Sequence, residues 1–321
     1  MIPTSEQVKE AREFLKRYLR PTRLVRAESL EGHADTKVHL KLEIDLPTAS
    51  FKPRGALYAL LKNVEQGQIP GVVAASTGNH GAAVAYAARI ANLPATIFLP
   101  HNPNPVKRAR IVALGAKVKE LEPNERSTVN EVAGPFAREH GNYFLDDSSD
   151  ALVPVGTATI AAEILDDLPE PDVMIVPMGD TALIRGVASE AKRRHPKVRI
   201  IGVQAEQAPA YMRSWNEGRV IVTETCDTIA DGLATRVPLE SNVREICELV
   251  DEVCLVSERE MLQAISKLLL DEHIVSEPAG AAATAAYLKN AAAYAGGNVV
   301  LLVTGANISR EVLTQAVVLT P

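Results

Sequence analysis

The sequence is poor in aromatic residues, poor in cysteine and without a surplus of positive charge. Aromatics are 4% of 321 residues, with a single tryptophan. Stacking platforms for single-stranded nucleic acid need such rings, so that partner is not expected. The 34 Lys and Arg are outnumbered by 40 Asp and Glu, leaving a net charge of −6. No basic stripe that would track a phosphate backbone stands out. Only three cysteines occur, Cys226, Cys247 and Cys254. Their number is odd and no CxxC spacing links them. The expectation is therefore packing residues in a reducing compartment rather than a disulfide framework. No apolar run approaches the roughly 18 residues that a membrane span needs. The opening stretch, MIPTSEQVKEAREFLKRYL, is polar and periodic and lacks the short apolar core of a signal peptide. A soluble, cytoplasmic protein is the expectation.

Alternation is what the chain does have. Short apolar runs follow amphipathic stretches almost from end to end. Val72–Ser76, Ala95–Leu99, Lys117–Leu121, Tyr143–Leu145, Asp172–Met178, Arg199–Ala205 and Asn298–Val303 read as strands. Asn79–Asn92, Pro105–Leu114, Glu125–His140, Ala182–Arg194, Glu258–Leu270 and Ala279–Asn290 read as helices. This order predicts an α/β protein with parallel sheets, and the length suits two domains. No linker marks a boundary. The weakest helical pattern, Asp146–Thr157, is the expected crossing point between domains.

Ligands of open α/β sheets sit beyond the C-terminal strand ends. Three turns there are informative. Ser76-Thr77-Gly78-Asn79-His80-Gly81 combines two glycines with a helix start, a place that can hold an anion or be an ordinary capped helix. Gly179-Asp180-Thr181-Ala182 has the same form, with Asp180 a natural N-cap. Thr304-Gly305-Ala306-Asn307 is a polar turn on the same side of a sheet. A fourth feature is Lys52, between Phe51 and Pro53 at the entrance of a helix running to about Leu61. A desolvated lysine there would have a lowered pKa and form a Schiff base as the free amine. Position alone does not distinguish it from a surface lysine. Arg185 and the cluster Lys107, Arg108 and Arg110 read as solvated helix faces.

Five segments in order change that balance: SFKPRGA, STGNHGAA, TIADGLAT, SEPAGAA and LLVTGAN, across residues 50–307. Together they resemble the fold-type II pyridoxal-phosphate (PLP) enzymes, in the branch of threonine/serine dehydratases and serine racemase. The resemblance covers nearly the whole chain. It implies the tryptophan synthase beta-like fold of two parallel-sheet α/β domains. Residues 1–60 plus 146–321 would be the large PLP-binding domain, and 61–145 a small mobile domain. It makes Lys52 the Schiff-base lysine and the base for the Cα proton, with Phe51 packed beside it. Asn79 would bond the ring hydroxyl of PLP, and Thr304 would face the pyridine nitrogen. A hydroxyl at that nitrogen leaves it unprotonated, which suits β-elimination better than transamination. Ser76, Thr77, Asn79 and His80 would grip the substrate carboxylate. Thr77 stands where racemases carry the serine that works on the second face of the substrate.

The sequence departs from the family in the phosphate cradle. Four glycines followed by Leu or Met are usual there. Here the run is Gly179-Asp180-Thr181-Ala182-Leu183. Asp180 beside a dianion is repulsive unless it turns away to cap the helix. Gly156-Thr157-Ala158-Thr159 likewise replaces the usual Gly-Gln-Gly-Thr. The metal site of the racemases is not expected, because Glu206 fits its first ligand but Met212 falls on the later acidic position. The resemblance implies dehydration and deamination of an amino acid such as L-threonine or L-serine to a 2-oxo acid and ammonia, by a homodimer. A serine-type racemase, a β-replacement enzyme and a catalytically silent PLP or amino-acid binder are the alternatives.

Overall fold

The computed structural model describes residues 2–32, 35–76, 78–122 and 128–319. The chain opens with α1 (Ser5–Leu15), β1 (Leu24–Arg26), β2 (Lys37–Leu42) and α2 (Pro53–Gln66). A compact run follows: β3 (Val72–Ala75), α3 (Asn79–Ala91), β4 (Ala95–Leu99), α4 (Pro105–Ala113), β5 (Lys117–Glu120), α5 (Val129–Glu139) and β6 (Tyr143–Phe144). Next come α6 (Leu152–Asp167), β7 (Val173–Pro177), α7 (Ala182–Arg194), β8 (Arg199–Ala205) and α8 (Ala210–Glu217). The chain ends with α9 (Glu240–Leu249), β9 (Glu252–Val256), α10 (Glu258–Asp271), α11 (Pro278–Lys289), β10 (Asn298–Val303) and α12 (Arg310–Val318).

The strands form two sheets. One has the order β1-β2-β10-β7-β8-β9, the other β5-β4-β3-β6. Every pairing is parallel except that of β1 with β2. The expected α/β class and parallel sheets are therefore present. Strand β7, VMIVP, is buried at every position, and β10 at all but its first. Such strands read as unbroken apolar runs because helices cover both faces. Separate apolar clusters line the sheets. Leu40, Ile175, Val203 and Leu301 lie on one face of the larger sheet, Met174, Val176, Ile200 and Val300 on the other, and Val72, Ala74 and Ile97 against the smaller one.

The segment Asp146–Thr157 is a correction. It was expected to be the weakest helical stretch, yet α6 begins at Leu152 and is buried continuously from Val153 to Leu165. A helix that is apolar all round gives no amphipathic period. Its hydroxyls are consumed internally: Thr157 Oγ1 donates to the carbonyls of Pro154 and Ala182, and Thr159 Oγ1 to that of Gly156. Helix α5 begins at Val129, capped by Thr128; the earliest part of the expected Glu125–His140 helix lies outside the described residues. All three cysteines are free. Cys226 and Cys254 are half-buried, whereas Cys247 is exposed rather than packed.

Candidate active site

The turns beyond the C-terminal ends of β3, β7 and β10 are tied to each other. Beyond β10, Ser50 and Gly305 form an antiparallel bridge. The Phe51 N–H donates to the Thr304 carbonyl at 3.0 Å, and the Ala306 N–H to the Ala49 carbonyl at 2.9 Å. This clamp places Lys52 beside the Thr304 turn. Thr304 is buried, and its Oγ1 reaches the Ala279 carbonyl at 3.5 Å.

Lys52 lies at the start of α2 with Pro53 as first helical residue. Its Nζ sits 5.0 Å from the Phe51 ring centroid and bonds Asp147. The expected lowering of its pKa is reversed. Burial works downward, but Asp147 and Asp180 outweigh it and hold the ammonium above its ordinary value. Burial pushes the Asp147 carboxyl up, yet the neighbouring His80 and Lys52 win and hold it at about 2. His80 is buried against this pair. Its Nε2 lies 2.9 Å from the Leu145 carbonyl and its Nδ1 3.7 Å from Asp147 Oδ2.

Two residues on, Arg54 anchors the helix start. Its guanidinium binds Glu43 through Nε at 2.7 Å and Glu163 through Nη1 at 2.6 Å, in a site where Lys41 also reaches Glu163 at 2.7 Å. Burial opposes ionisation of Glu163, but Arg54 and Lys41 prevail and hold its carboxyl at about 2. A buried charge cluster with every member paired is rigid. The lysine therefore projects from a fixed base.

The turn 76–81 closes on itself. Ser76 Oγ accepts the N–H groups of Gly78 and Gly81, both at 2.8 Å. Those of Asn79 and His80, at the start of α3, meet no acceptor among the described residues. Thr77 lies outside the described residues. Asn79 is held from both sides. Its Oδ1 accepts from Asn307 Nδ2 at 2.8 Å, and its Nδ2 donates to Glu277 Oε1 at 2.5 Å. Glu277 Oε2 lies 2.9 Å from Lys107 Nζ, which also binds both oxygens of Asp231 at 2.5 and 2.7 Å.

Lys107 and Arg185 are corrections: neither is solvated. Lys107 is 2% exposed, because two carboxylates surround its amine and its stem covers Gly78. Arg185 is 3% exposed and ties Thr181 Oγ1, Glu245 and the Ser148 carbonyl together. Arg108 does lie on an exposed face, paired with Glu120.

The turn after β7 holds the third group. The six consecutive N–H groups from Gly179 to Ile184 donate to no acceptor among the described residues. They converge at the N-terminus of α7, the positive end of its dipole. A Cβ on Gly179 would lie 2.3 Å from the Gly232 carbonyl oxygen, so only glycine fits there. Thr181 takes a left-handed φ of 70°. Asp180 does not cap α7. Thr181 is the cap residue and makes no side-chain cap bond, while Asp180 Oδ1 turns aside to accept the Thr235 hydroxyl at 2.9 Å. Burial, with Asp147 next, pushes the Asp180 carboxyl up to about 6. Asn242 fixes this turn from below, donating to the Ser148 and Asp180 carbonyls.

These features fit PLP. Six open N–H groups suit its phosphate. Lys52 would supply the amine for its aldehyde, and Asn79 and Thr304, on neighbouring turns, would be the groups beside its ring. Glu206, by contrast, lies on the surface, 3.5 Å from Lys289. Among the described residues, no three His, Cys, Asp or Glu form a group able to hold a metal.

Sequence reasoning missed Asp147, Lys107, Asp231, Glu277, Asn242 and Asn307 as site residues. Asp231 and Glu277 lay inside segments already singled out, TIADGLAT and SEPAGAA, and each offered a carboxylate beside a glycine or proline turn. Asp147 and Lys107 carried no signal short of the fold.

The chain is similar over most of its length to several known proteins. The chain is 36% identical over 314 residues to an L-threonine ammonia-lyase of Thermotoga maritima, covering 98% of this chain and 78% of that one. It is 35% identical over 307 residues to a catabolic L-threonine dehydratase of Staphylococcus aureus, covering 94% and 88%. Maize serine racemase superposes with a TM-score of 0.91 at 26% identity, covering 98% and 97%. The processed form of threonine deaminase isoform 2 from Solanum lycopersicum gives 0.87 at 26% identity, covering 98% and 89%. The sequence pattern described as "Pyridoxal-phosphate dependent enzyme" matches residues 15–305, and the chain belongs to that family.

Proposed function

We propose that this chain removes water and then ammonia from a hydroxy amino acid such as L-threonine or L-serine, leaving a 2-oxo acid. The observation that carries the reading is the contact of Lys52 Nζ with Asp147, within one cleft with the open N–H groups of 79–80 and 179–184. The curated relatives quoted above carry the same activity in their names.

When bound, the cofactor supplies an electron sink for the charge left at the substrate Cα. The chain's residues do the rest. The N–H groups of Asn79 and His80, with Thr77, receive the substrate carboxylate at the positive end of α3. Lys52 takes the Cα proton. Asp147, ionised beside it, favours the ammonium and so the state after proton transfer. Lys52 then returns that proton to the departing β-hydroxyl, which leaves as water. The released enamine takes up water and gives the 2-oxo acid and ammonia. Asn79, braced by Asn307 and Glu277, would hold the ring edge. Thr304 would offer a neutral hydroxyl to the ring nitrogen. Phe51 shields Lys52 from solvent.

The unit 61–145 carries the carboxylate turn, and we assign it the mobile role, closing on 1–60 plus 146–321. A cytoplasmic homodimer completes the reading. The test is formation of 2-oxo acid from L-threonine, L-serine and 3-hydroxyaspartate by the purified holoprotein. Product from one of them supports the reading and names the substrate. D-serine from L-serine without 2-oxo acid would replace it with a racemase.

A further inference from the structure

The turn that faces the phosphate contains one residue whose charge opposes that task. Asp180 is second in the row of six open N–H groups. Its Oδ1 accepts from Thr235, and its Oδ2 accepts from no described residue. It caps nothing on α7, so the carboxylate is not the anion that the row is built to hold. An ionised carboxylate on the residue just ahead of the α7 cap would repel a doubly charged phosphate seated on that row.

The surroundings bear on how this conflict is settled. Asp147 and Asp146, from the loop ahead of α6, press on the Asp180 carboxyl with like charge, and burial acts in the same direction. Lys52 at the start of α2 and the hydroxyl of Thr235 pull the other way without prevailing. Tyr211 of α8 and the Cys226 thiol face it, and both are raised in part by it. Arg185, one turn along α7, is already committed to Glu245. Lys107 is committed to Asp231 and Glu277. Lys52 is committed to Asp147, and Arg236, next in sequence to Thr235, is exposed and bonds the Glu224 carbonyl.

We propose that Asp180 is a cofactor-binding residue in its acid form: its protonated carboxyl donates from Oδ2 to a phosphate oxygen held on the N–H row of 179–184. The cradle then takes up one proton from solvent for each phosphate it binds. A glycine in its place would make affinity indifferent to this proton. This inference rests on the cofactor site assigned under the proposed function.

The probe is pyridoxine 5′-phosphate, which has the ring and phosphate but no aldehyde, so no bond to Lys52 enters the measurement. Its Kd is measured by calorimetry on the cofactor-free protein and on Asp180→Asn, at about pH 6, 7 and 8. Asparagine keeps the Thr235 contact and donates from Nδ2 at any pH. The ratio of wild-type to variant Kd cancels the titration of the ligand phosphate and of the Lys52–Asp147 pair. The ratio is expected to climb toward roughly tenfold per pH unit once the carboxyl has titrated, the slope of one-proton uptake. Asp180→Gly should give the same rising ratio, and it replaces Asp180→Asn if that variant fails to fold. A ratio independent of pH overturns the acid role and leaves the site standing. Absence of binding by all three proteins at every pH removes the site itself.

Discussion

Lys107 and Glu277 form a buried ion pair at 2.9 Å, with side chains 2% and 3% exposed. The lysine belongs to α4 beside the smaller sheet, and the glutamate stands at the start of α11 on the larger. Asp231, from the turn that touches Gly179, is the second partner of the same ammonium. One charge thus joins the turn 76–81, the Glu277 that holds Asn79, and the wall of the turn after β7.

Removing that charge leaves the buried Glu277 carboxylate without its cation, beside an Asp231 that is 33% exposed. Breaking a buried pair from one side costs about 3–5 kcal/mol. Lys107→Met is expected to lose stability in that range, read from urea melts. KM for the amino acid should rise by more than kcat falls, because the loss is in how the turn 76–81 is held. An unchanged urea midpoint would show that the bridge carries no net stability.

Lys52→Ala is expected to abolish 2-oxo acid formation and leave the fold intact, since Arg54 and its carboxylates hold the start of α2 independently. Borohydride reduction of the wild-type holoprotein, followed by peptide mass spectrometry, should find the cofactor on Lys52 alone. An adduct at another lysine, or turnover by the variant, would displace Lys52 from the reaction.

The parts legible in the sequence were those with a local rule. Strands ending at Gly or Thr, helices opening at Asn79 and Ala182, and the lysine before Pro53 all follow from turn chemistry and periodicity. The parts that were not legible depend on distant groups. Nothing near Lys107 announces that Asp231 and Glu277 will surround it, so a lysine between Val106 and Arg108 reads as surface. Lys52 misled in the opposite direction: burial alone lowers a lysine, and the arrival of Asp147, 95 positions away, together with Asp180, reverses the sign. Helix α6 was hidden because it is apolar on every side.

Acid should reach Asp147 only after most surface carboxylates have taken up their protons. Its folded pKa is depressed to about 2 from 3.8. A depressed carboxyl stabilises the fold above its unfolded value, and that contribution disappears as pH falls through the folded one. The window therefore runs from about pH 4 down to about pH 2, and its size is about 2 kcal/mol by the linkage relation. Asp147→Asn should be less stable than wild type at neutral pH, with the gap closing across that window. Urea melts of the cofactor-free proteins at several pH values measure it. A gap that is constant with pH would mean that His80 and Lys52 do not hold Asp147 ionised.

Two glycines, one in each turn, allow cofactor binding and substrate binding to be tested apart. A Cβ at Gly179 would lie 2.3 Å from the Gly232 carbonyl oxygen, which is backbone and has nowhere to go. A Cβ at Gly78 would meet Lys107 Cδ at 2.2 Å, at a φ of 150° that side chains rarely adopt. Gly179→Ala must therefore push the N–H row of 179–184 out of line, and such overpacking costs about 1–3 kcal/mol. That loss falls on phosphate contacts, so cofactor Kd should rise by roughly tenfold or more, and excess cofactor should restore much of the rate. Gly78→Ala displaces the lysine stem and the carboxylate turn instead. Its cofactor Kd should stay near wild type while KM for the amino acid rises, and added cofactor should restore nothing. If both variants lose cofactor affinity alike, the two turns are not independent sites. The contact between Asp231 and Lys107 would then be the path by which one disturbs the other.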